Sequence, residues 1–484
     1  MKESLDLALR PSWDETGREW FNHSSAPRIF TDAVVIESLR KQYPELKLVV
    51  APQGVLNLLA YAAAGHATAT SIGEENDPVY SSLRWRQYIP PARRIDGAKG
   101  TLANVVLFGK YIYKWKNPAR DEPQEFLVYI INGRDGSNSY PAPTNHYILC
   151  REERDADDLI LTASQWGTEL HNEVWVFDGG YFQKSYELWE SVQHAEWENV
   201  ILDADIKKAI IKDVTNFFDS RETYEKLKVP WKRGVIYYGP PGNGKTISIK
   251  AMMHTLYERK DPIPTVYVRT LTSFAGPEWS LSQIFGKARQ VAPCYLVFED
   301  LDSIVSDAVR SYFLNEVDGL RSNDGILMIG STNHLDRLDP GISKRPSRFD
   351  RKYFFPNPDF AQRAAYAAFW QRKLADNPDI EFPDKLCKAI ASITDGFSFA
   401  YMQEAFVATL LTIAAYDDTP DQECWNKQRN HLIWQSVAQK PVRVREDGDG
   451  ELEKLLLWRE IKKQVRILRE EMGGKGSGFG KKEL

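Results

Sequence analysis

Between residues 200 and 357, short apolar runs alternate with longer amphipathic stretches. The runs Val235–Tyr238, Thr265–Thr270, Tyr295–Glu299 and Ile326–Ser331 predict strands, because each is continuously apolar and bounded by turn-forming residues. Between them, Lys245–Tyr257, Leu281–Gln290 and Ala308–Val317 carry apolar residues at helical spacing. An earlier helix, Asp205–Phe218, directs Ile206, Ile210, Phe217 and Phe218 to one side. Strands that alternate with helices predict a parallel sheet covered on both faces, an α/β architecture. Asn357-Pro358 closes this block. The helical patterns Asp359–Leu374, Asp384–Ser392 and Ser398–Tyr416 then predict a small all-α subdomain.

The flanks read differently. Residues 1–195 mix strand runs (Asn104–Phe108, Phe126–Ile131 before an Asn132-Gly133 turn, and Trp175–Asp178) with helical stretches, which predicts an α+β domain. Leu48–Gly73 is poor in charge, but Pro52, Gln53, Asn57 and His66 make a buried helix near Val55–Ala64 a better reading than a membrane span. Glu451–Met472 places Leu457, Ile461, Val465, Leu468 and Met472 at three- and four-residue spacing, an amphipathic helix that suits either docking in cis or a partner. The glycine-rich Gly473–Leu484 reads as a flexible tail. The expected divisions are therefore 1–195, an α/β domain at 196–356, a helical lid at 357–440, and a C-terminal helix with its tail at 441–484.

Composition narrows the class. The 484 residues are 43% hydrophobic and 27% charged with a net charge of −5, a globular balance without the basic excess of a nucleic-acid binder. Cys150, Cys294, Cys387 and Cys424 lie far apart and form no CxxC pair, so neither a zinc site nor a disulfide framework is expected. The opening twenty residues hold five acids and no apolar signal core, and no membrane anchor is evident. The expectation is an intracellular protein, cytoplasmic or nuclear, with mitochondrial association left open.

Chemistry is concentrated at Gly239-Pro240-Pro241-Gly242-Asn243-Gly244-Lys245-Thr246, followed by Ile247, which fits G-x-x-x-x-G-K-[ST]. Glycines let the backbone wrap phosphates at a helix N-terminus, Lys245 reaches the β- and γ-phosphates, and the Thr246 hydroxyl ligates Mg²⁺. Cys294-Tyr-Leu-Val-Phe-Glu299-Asp300 is an apolar strand ending in two acids, the way such a sheet supplies metal and water ligands.

The phosphate loop, then APCYLVFEDLDSI, then FLNEVDGL, then IGSTNHLDRLDPGISKRPSRFDR, occur in that order from 234 to 351. Together they resemble the AAA+ ATPases, and within them the AAA group. KLKVPWKRGVIYYGPPGNGKT, the Glu-Asp order and TNHLDRLDP look most similar to the subgroup that includes the mitochondrial chaperone that matures the respiratory-chain Rieske protein. The resemblance spans about 200–410. It implies a P-loop NTPase fold, binding and hydrolysis of ATP with Mg²⁺, and a homo-oligomeric ring, most often a hexamer, that remodels a protein client. It also implies a sensor role for Asn333, which polarises the attacking water, and arginine-finger roles for Arg345 and Arg348, which complete a neighbouring subunit's site. A salt bridge from these arginines to Asp350 or Asp339 is the alternative. The usual acid order is Asp then Glu. Here Glu299 serves the metal and Asp300 the water with a side chain one methylene shorter, so its reach has to come from backbone placement or a bridging water. Phe274 stands where many relatives carry an aromatic pore loop, with burial as the alternative, and Gly396–Tyr401 stands where the lid nears the adenine. An assembly scaffold with little turnover, or a nucleic-acid motor, are the competing functions.

Overall fold

The computed structural model describes residues 31–54, 56–72, 82–91, 99–120, 122–132, 144–318, 321–345, 348–417 and 450–474. The chain divides into two compact units, Met1–Glu169 and Leu170–Leu484.

In chain order the first unit contains α1 (Thr31–Gln42), β1 (Lys47–Pro52), α2 (Leu58–Ala63), β2 (Ala67–Ser71), β3 (Ser82–Ile89), β4 (Thr101–Trp115), β5 (Gln124–Asn132), β6 (Thr144–Cys150) and α3 (Glu153–Thr168). The strands form one antiparallel sheet in the order β1-β6-β5-β4-β2, and β3 pairs with the first part of the long β4. Alternation along β4 buries Tyr111, Tyr113 and Trp115 with Leu58, Leu159 and Ala163 of α2 and α3. The opposite face buries Leu39 of α1 with Tyr129, Ile131, Tyr147 and Leu149. His146 on β6 is fully buried, and burial pulls its imidazole down to about 4. Asn57 caps α2 by accepting from the Ala60 N–H at 3.0 Å, so the helix expected at Val55–Ala64 spans Leu58–Ala63. Val55 and Gly133, with its expected turn, lie outside the described residues.

The second unit begins with β7 (Val174–Asp178), β8 (Tyr181–Ser185), α4 (Tyr186–Gln193), α5 (Ala204–Asp219), α6 (Arg221–Leu227), β9 (Lys232–Tyr238), α7 (Lys245–Tyr257), β10 (Thr265–Val268), α8 (Pro277–Gln290), β11 (Cys294–Phe298), α9 (Leu301–Ile304), α10 (Asp307–Asp318), β12 (Ile326–Thr332), α11 (Pro340–Ser343) and β13 (Arg351–Phe354). These build a seven-stranded sheet in the order β13-β9-β12-β11-β10-β7-β8, parallel throughout except for β8 at one edge. The strands are apolar on both faces because helices cover both. One face packs Leu281, Ile284 and Phe285 of α8 with Phe313 and Val317 of α10, and the other packs Val214 and Phe217 of α5 with Ile249, Met252 and Leu256 of α7.

Two features of this unit bear on the expected divisions. The boundary expected after residue 195 falls inside the unit, because β7 pairs in parallel with β10 through Val266↔Trp175. Trp175–Asp178 is a strand as expected, yet it belongs to the parallel sheet, and its partner lies far along the chain. The lid, α12 (Phe360–Lys373), α13 (Asp384–Ile393) and α14 (Phe399–Asp417), also shares its core with α15 (Leu456–Gly474). Leu457, Trp458, Ile461, Val465 and Leu468 are buried against Trp370, Leu386, Ile390 and Phe406, so this amphipathic helix docks in cis instead of standing apart from the lid. Residues 418–449, which include Cys424 and the expected lid end at 440, and the tail from 475 lie outside the described residues. Among the described residues, no helix is long and apolar enough to cross a membrane.

Candidate nucleotide site

Parallel pairing brings the C-terminal ends of β9, β11 and β12 to one edge, since Phe298 aligns with Gly330 and Gly330 with Ile236. The segments that follow therefore meet there: Gly239–Gly244 after β9, Glu299-Asp300 after β11, and Asn333 after β12. Open parallel sheets bind their ligands at this edge.

The loop from Gly239 to Gly244 demands its glycines. Gly239, Gly242 and Gly244 have φ of 142°, 77° and 90°. Substitution also fails on space, since a Cβ at Gly239 would sit 2.3 Å from the Phe355 carbonyl oxygen and one at Gly242 would sit 2.4 Å from Ala400 Cβ. Asn243 is buried and donates its side-chain amide to Asn357 Oδ1 at 2.8 Å. Lys245 opens α7, is itself buried, and donates to the carbonyls of Gly239 (2.8 Å) and Pro240 (2.9 Å). Burial lowers the Lys245 ammonium below its ordinary value, against the opposing pull of Asp300, Asp302 and Glu299. Pro240 is half-buried, and Pro241, Thr246 and Ile247 are exposed at the loop and first turn.

Glu299 lies on the same strand face as Tyr295 and Val297, the face that α7 covers. Its Oε2 accepts from the Thr246 hydroxyl at 2.7 Å. Burial raises the Glu299 carboxyl, while Thr246 and Tyr267 favour its charged form. Glu299 Oε1 is buried without a hydrogen bond. A buried carboxylate oxygen with no partner, beside a hydroxyl at the mouth of a phosphate-sized loop, fits Mg²⁺. Among the described residues, no group of three or more His, Cys, Asp or Glu side chains is placed to hold a metal. The donors available are thus the Glu299 and Thr246 oxygens, and a nucleotide's phosphates and water complete such a shell.

Asp300 is exposed and left-handed, at φ 51° and ψ 53°. Asn333 is half-buried immediately past β12. Residues 235–357 match the family described as "ATPase family associated with various cellular activities (AAA)". That stretch of the chain is similar to AAA ATPase domains. Its sheet, phosphate loop and acid pair make this a nucleotide-binding ATPase domain, and AAA domains commonly assemble into rings.

The two candidate arginines lie away from the phosphate loop in sequence, on the connection from β12 to β13, and they differ from one another. Arg348 is 8% exposed and donates from Nε to Asp318 Oδ2 at 2.7 Å and from Nη1 to the Gly341 carbonyl at 2.8 Å. Its backbone is wedged on Gly234, where a Cβ would stand 2.0 Å from the Arg348 carbonyl oxygen. Arg345 is 59% exposed, and its contact with Asp318 is a loose 3.8 Å. The intrachain acid for both is Asp318. Asp350 pairs with Arg233 at 2.9 Å, and Asp339 faces Arg310 at 3.2 Å, so neither alternative acid is taken. Pro346 and Ser347 lie outside the described residues. Phe274 is 79% exposed, which removes the buried alternative, and its ring stands 6.1 Å from Tyr181 and 5.8 Å from Trp279.

Several contributors at this edge are absent from the sequence reading. Asn357, Asp302, Ser331, Thr332 and Tyr267 meet the site only because segments distant in sequence lie side by side, and the motifs give none of them a role. Ala400 of the lid donates its N–H to the Gly242 carbonyl at 3.1 Å, which links α14 to the phosphate loop. Asn357-Pro358 could have signalled its role only as the end of the α/β block.

Proposed function

We infer that the protein hydrolyses Mg·ATP as a ring and uses the cycle to remodel a protein client. The observation that carries this reading is the convergence of Lys245, the Thr246–Glu299 pair and Asp300 on one sheet edge. Lys245 balances charge on the β- and γ-phosphates, and the loop N–H groups cradle them. Bound Mg²⁺ supplies charge neutralisation of the phosphates, held on the protein side by Thr246 and Glu299. Asp300 orients the attacking water and takes its proton, and Asn333 polarises that water from the end of β12. An arginine from a neighbouring copy stabilises the transferring phosphoryl group, and the exposure of Arg345 suits it to that reach.

The Ala400–Gly242 hydrogen bond supports a coupling between nucleotide state and lid position, by which the lid rotates against the sheet. The resembling chaperone subgroup motivates the protein client, and the net charge of −5 argues against a nucleic-acid track. Phosphate release by the full chain with Mg·ATP, beside Lys245→Ala and Asp300→Asn and with assembly followed by sedimentation, tests the reading. Turnover lost in both variants and concentrated in the assembled species is the expected result. ATP-dependent assembly without turnover in the parent protein would leave a scaffold in its place.

A further inference from the structure

Asp300 is one of three non-glycine residues with positive φ among those described, beside Asn172 and Lys228. Asp enters this region more readily than most L-residues but still at a cost, and at a functional edge its surroundings help to hold it there. Two hydroxyls at the end of β12 provide that hold. Ser331 Oγ accepts the Asp300 backbone N–H at 3.2 Å. Thr332, fully buried, donates its hydroxyl to Asp302 Oδ1 at 2.6 Å and accepts the His334 N–H at 2.9 Å. The Asp300 carbonyl takes the N–H groups of Ser303 (2.8 Å) and Ile304 (3.0 Å), which fixes the turn from the other side. Close approach makes this lacing possible, since a Cβ at Gly330 would lie 2.8 Å from Leu301 Cδ2.

The acid assigned to the water is an aspartate, one methylene short of glutamate. A left-handed backbone sends the side chain off in a direction that an extended residue would not give, which is the backbone placement a short acid calls for. We propose that Asp302, acting through the Thr332 hydroxyl, is a positioning residue that keeps Asp300 in its left-handed turn and so presents the short carboxylate to the attacking water. This rests on the ATPase reading above.

The test uses the full chain with Thr332→Val, Asp302→Ala, Asp302→Asn and the double variant Thr332→Val/Asp300→Glu. Steady-state phosphate release, fluorescent-nucleotide binding and amide hydrogen exchange at residues 300–302 are read together, with thermal melting as the control for folding. Thr332→Val and Asp302→Ala lower kcat roughly 100-fold, the scale of a 1 Å misplacement, with KM and nucleotide affinity held and exchange at 300–302 accelerated. Asp302→Asn keeps an acceptor oxygen for Thr332 and retains most of the parent rate. In the double variant the longer glutamate restores at least a tenfold part of the loss, the share a correctly reached base returns. Parent-like kcat in both Thr332→Val and Asp302→Ala, or a loss that glutamate does not restore, overturns the positioning role while the ATPase reading stands. A parent protein that binds nucleotide without turnover sinks the ATPase reading itself, and the proposal with it. If Thr332→Val fails to fold, the contrast between Asp302→Ala and Asp302→Asn decides alone.

Discussion

Arg345 and Arg348 match the same family motif, yet the structure gives them opposite surroundings. Truncating Arg348 to alanine removes two charge-assisted hydrogen bonds and leaves Asp318, itself only 26% exposed, without its close partner. Breaking such a pair costs about 3 kcal/mol, since the orphaned carboxylate keeps its desolvation penalty. For a unit of this size that is a fall in melting temperature of about 6 °C. Arg345→Ala loses only a contact at 3.8 Å from a side chain that is mostly in solvent. A pair of that kind contributes roughly 0–1 kcal/mol, so the melt stays within about 2 °C of the parent. Turnover reverses the ranking. If Arg345 completes a neighbour's site, its loss removes a contribution of roughly 10³-fold or more, visible only at concentrations where the ring is assembled. Mixing Arg345→Ala with Lys245→Ala subunits then restores part of the activity, because each supplies what the other lacks. Scanning fluorimetry and phosphate release on the same preparations decide the matter. An Arg348→Ala variant that melts with the parent but is inactive, beside a fully active Arg345→Ala, would refute the assignment.

Two further outcomes follow from burial. His146 has a folded-state value near 4 against an ordinary 6.5, so as pH falls through that window the unfolded chain binds a proton that the folded one refuses. Stability is whole above the ordinary value and declines by about 3 kcal/mol towards pH 4, and the amide-exchange protection of β6 falls accordingly, whereas His146→Leu flattens this dependence. A parent and variant with parallel pH profiles would contradict it. Ile461→Ala, at a fully buried lid position, costs about 3 kcal/mol in the lid transition, while Met472→Ala at 38% exposure leaves it unchanged. An unchanged lid transition in Ile461→Ala would return α15 to a partner-binding role.

The parts legible in the sequence were those whose signal is local. Lys245–Tyr257 is a helix with those bounds, and Tyr295–Glu299 and Ile326–Ser331 overlie β11 and β12, because fully buried parallel strands read as unbroken apolar runs. The β13 strand, only four residues with mostly exposed side chains, carries no such run. In the first unit, β1 and β6 are sixfold paired, but their partners are separated by most of that unit, and pairing is not written in either segment. The β7 strand shows the same limit from the other side, since its apolar run was visible while its place in the parallel sheet was not. At the site, the glycine loop and the acids were readable by spacing. Asp302, Ser331 and Thr332 were not, because their meaning depends on two strand ends lying side by side. The distinction between Arg345 and Arg348 likewise lives in burial, which a motif does not encode.

The late arrival of α15 in the chain has a kinetic side. Trp370 and Phe406 already stack, with ring centroids 5.1 Å apart, within the segment that ends at Asp417. The shared core nonetheless stays open until Leu457–Leu468 has been synthesised. At ordinary elongation rates the interval from Phe406 to Leu468 takes roughly 3–12 s. The sheet's two cores, complete by Phe355, have no such wait. Leu386, Ile390 and Phe406 meanwhile face water on a nascent chain, which makes lid closure the step most exposed to aggregation and to chaperone capture.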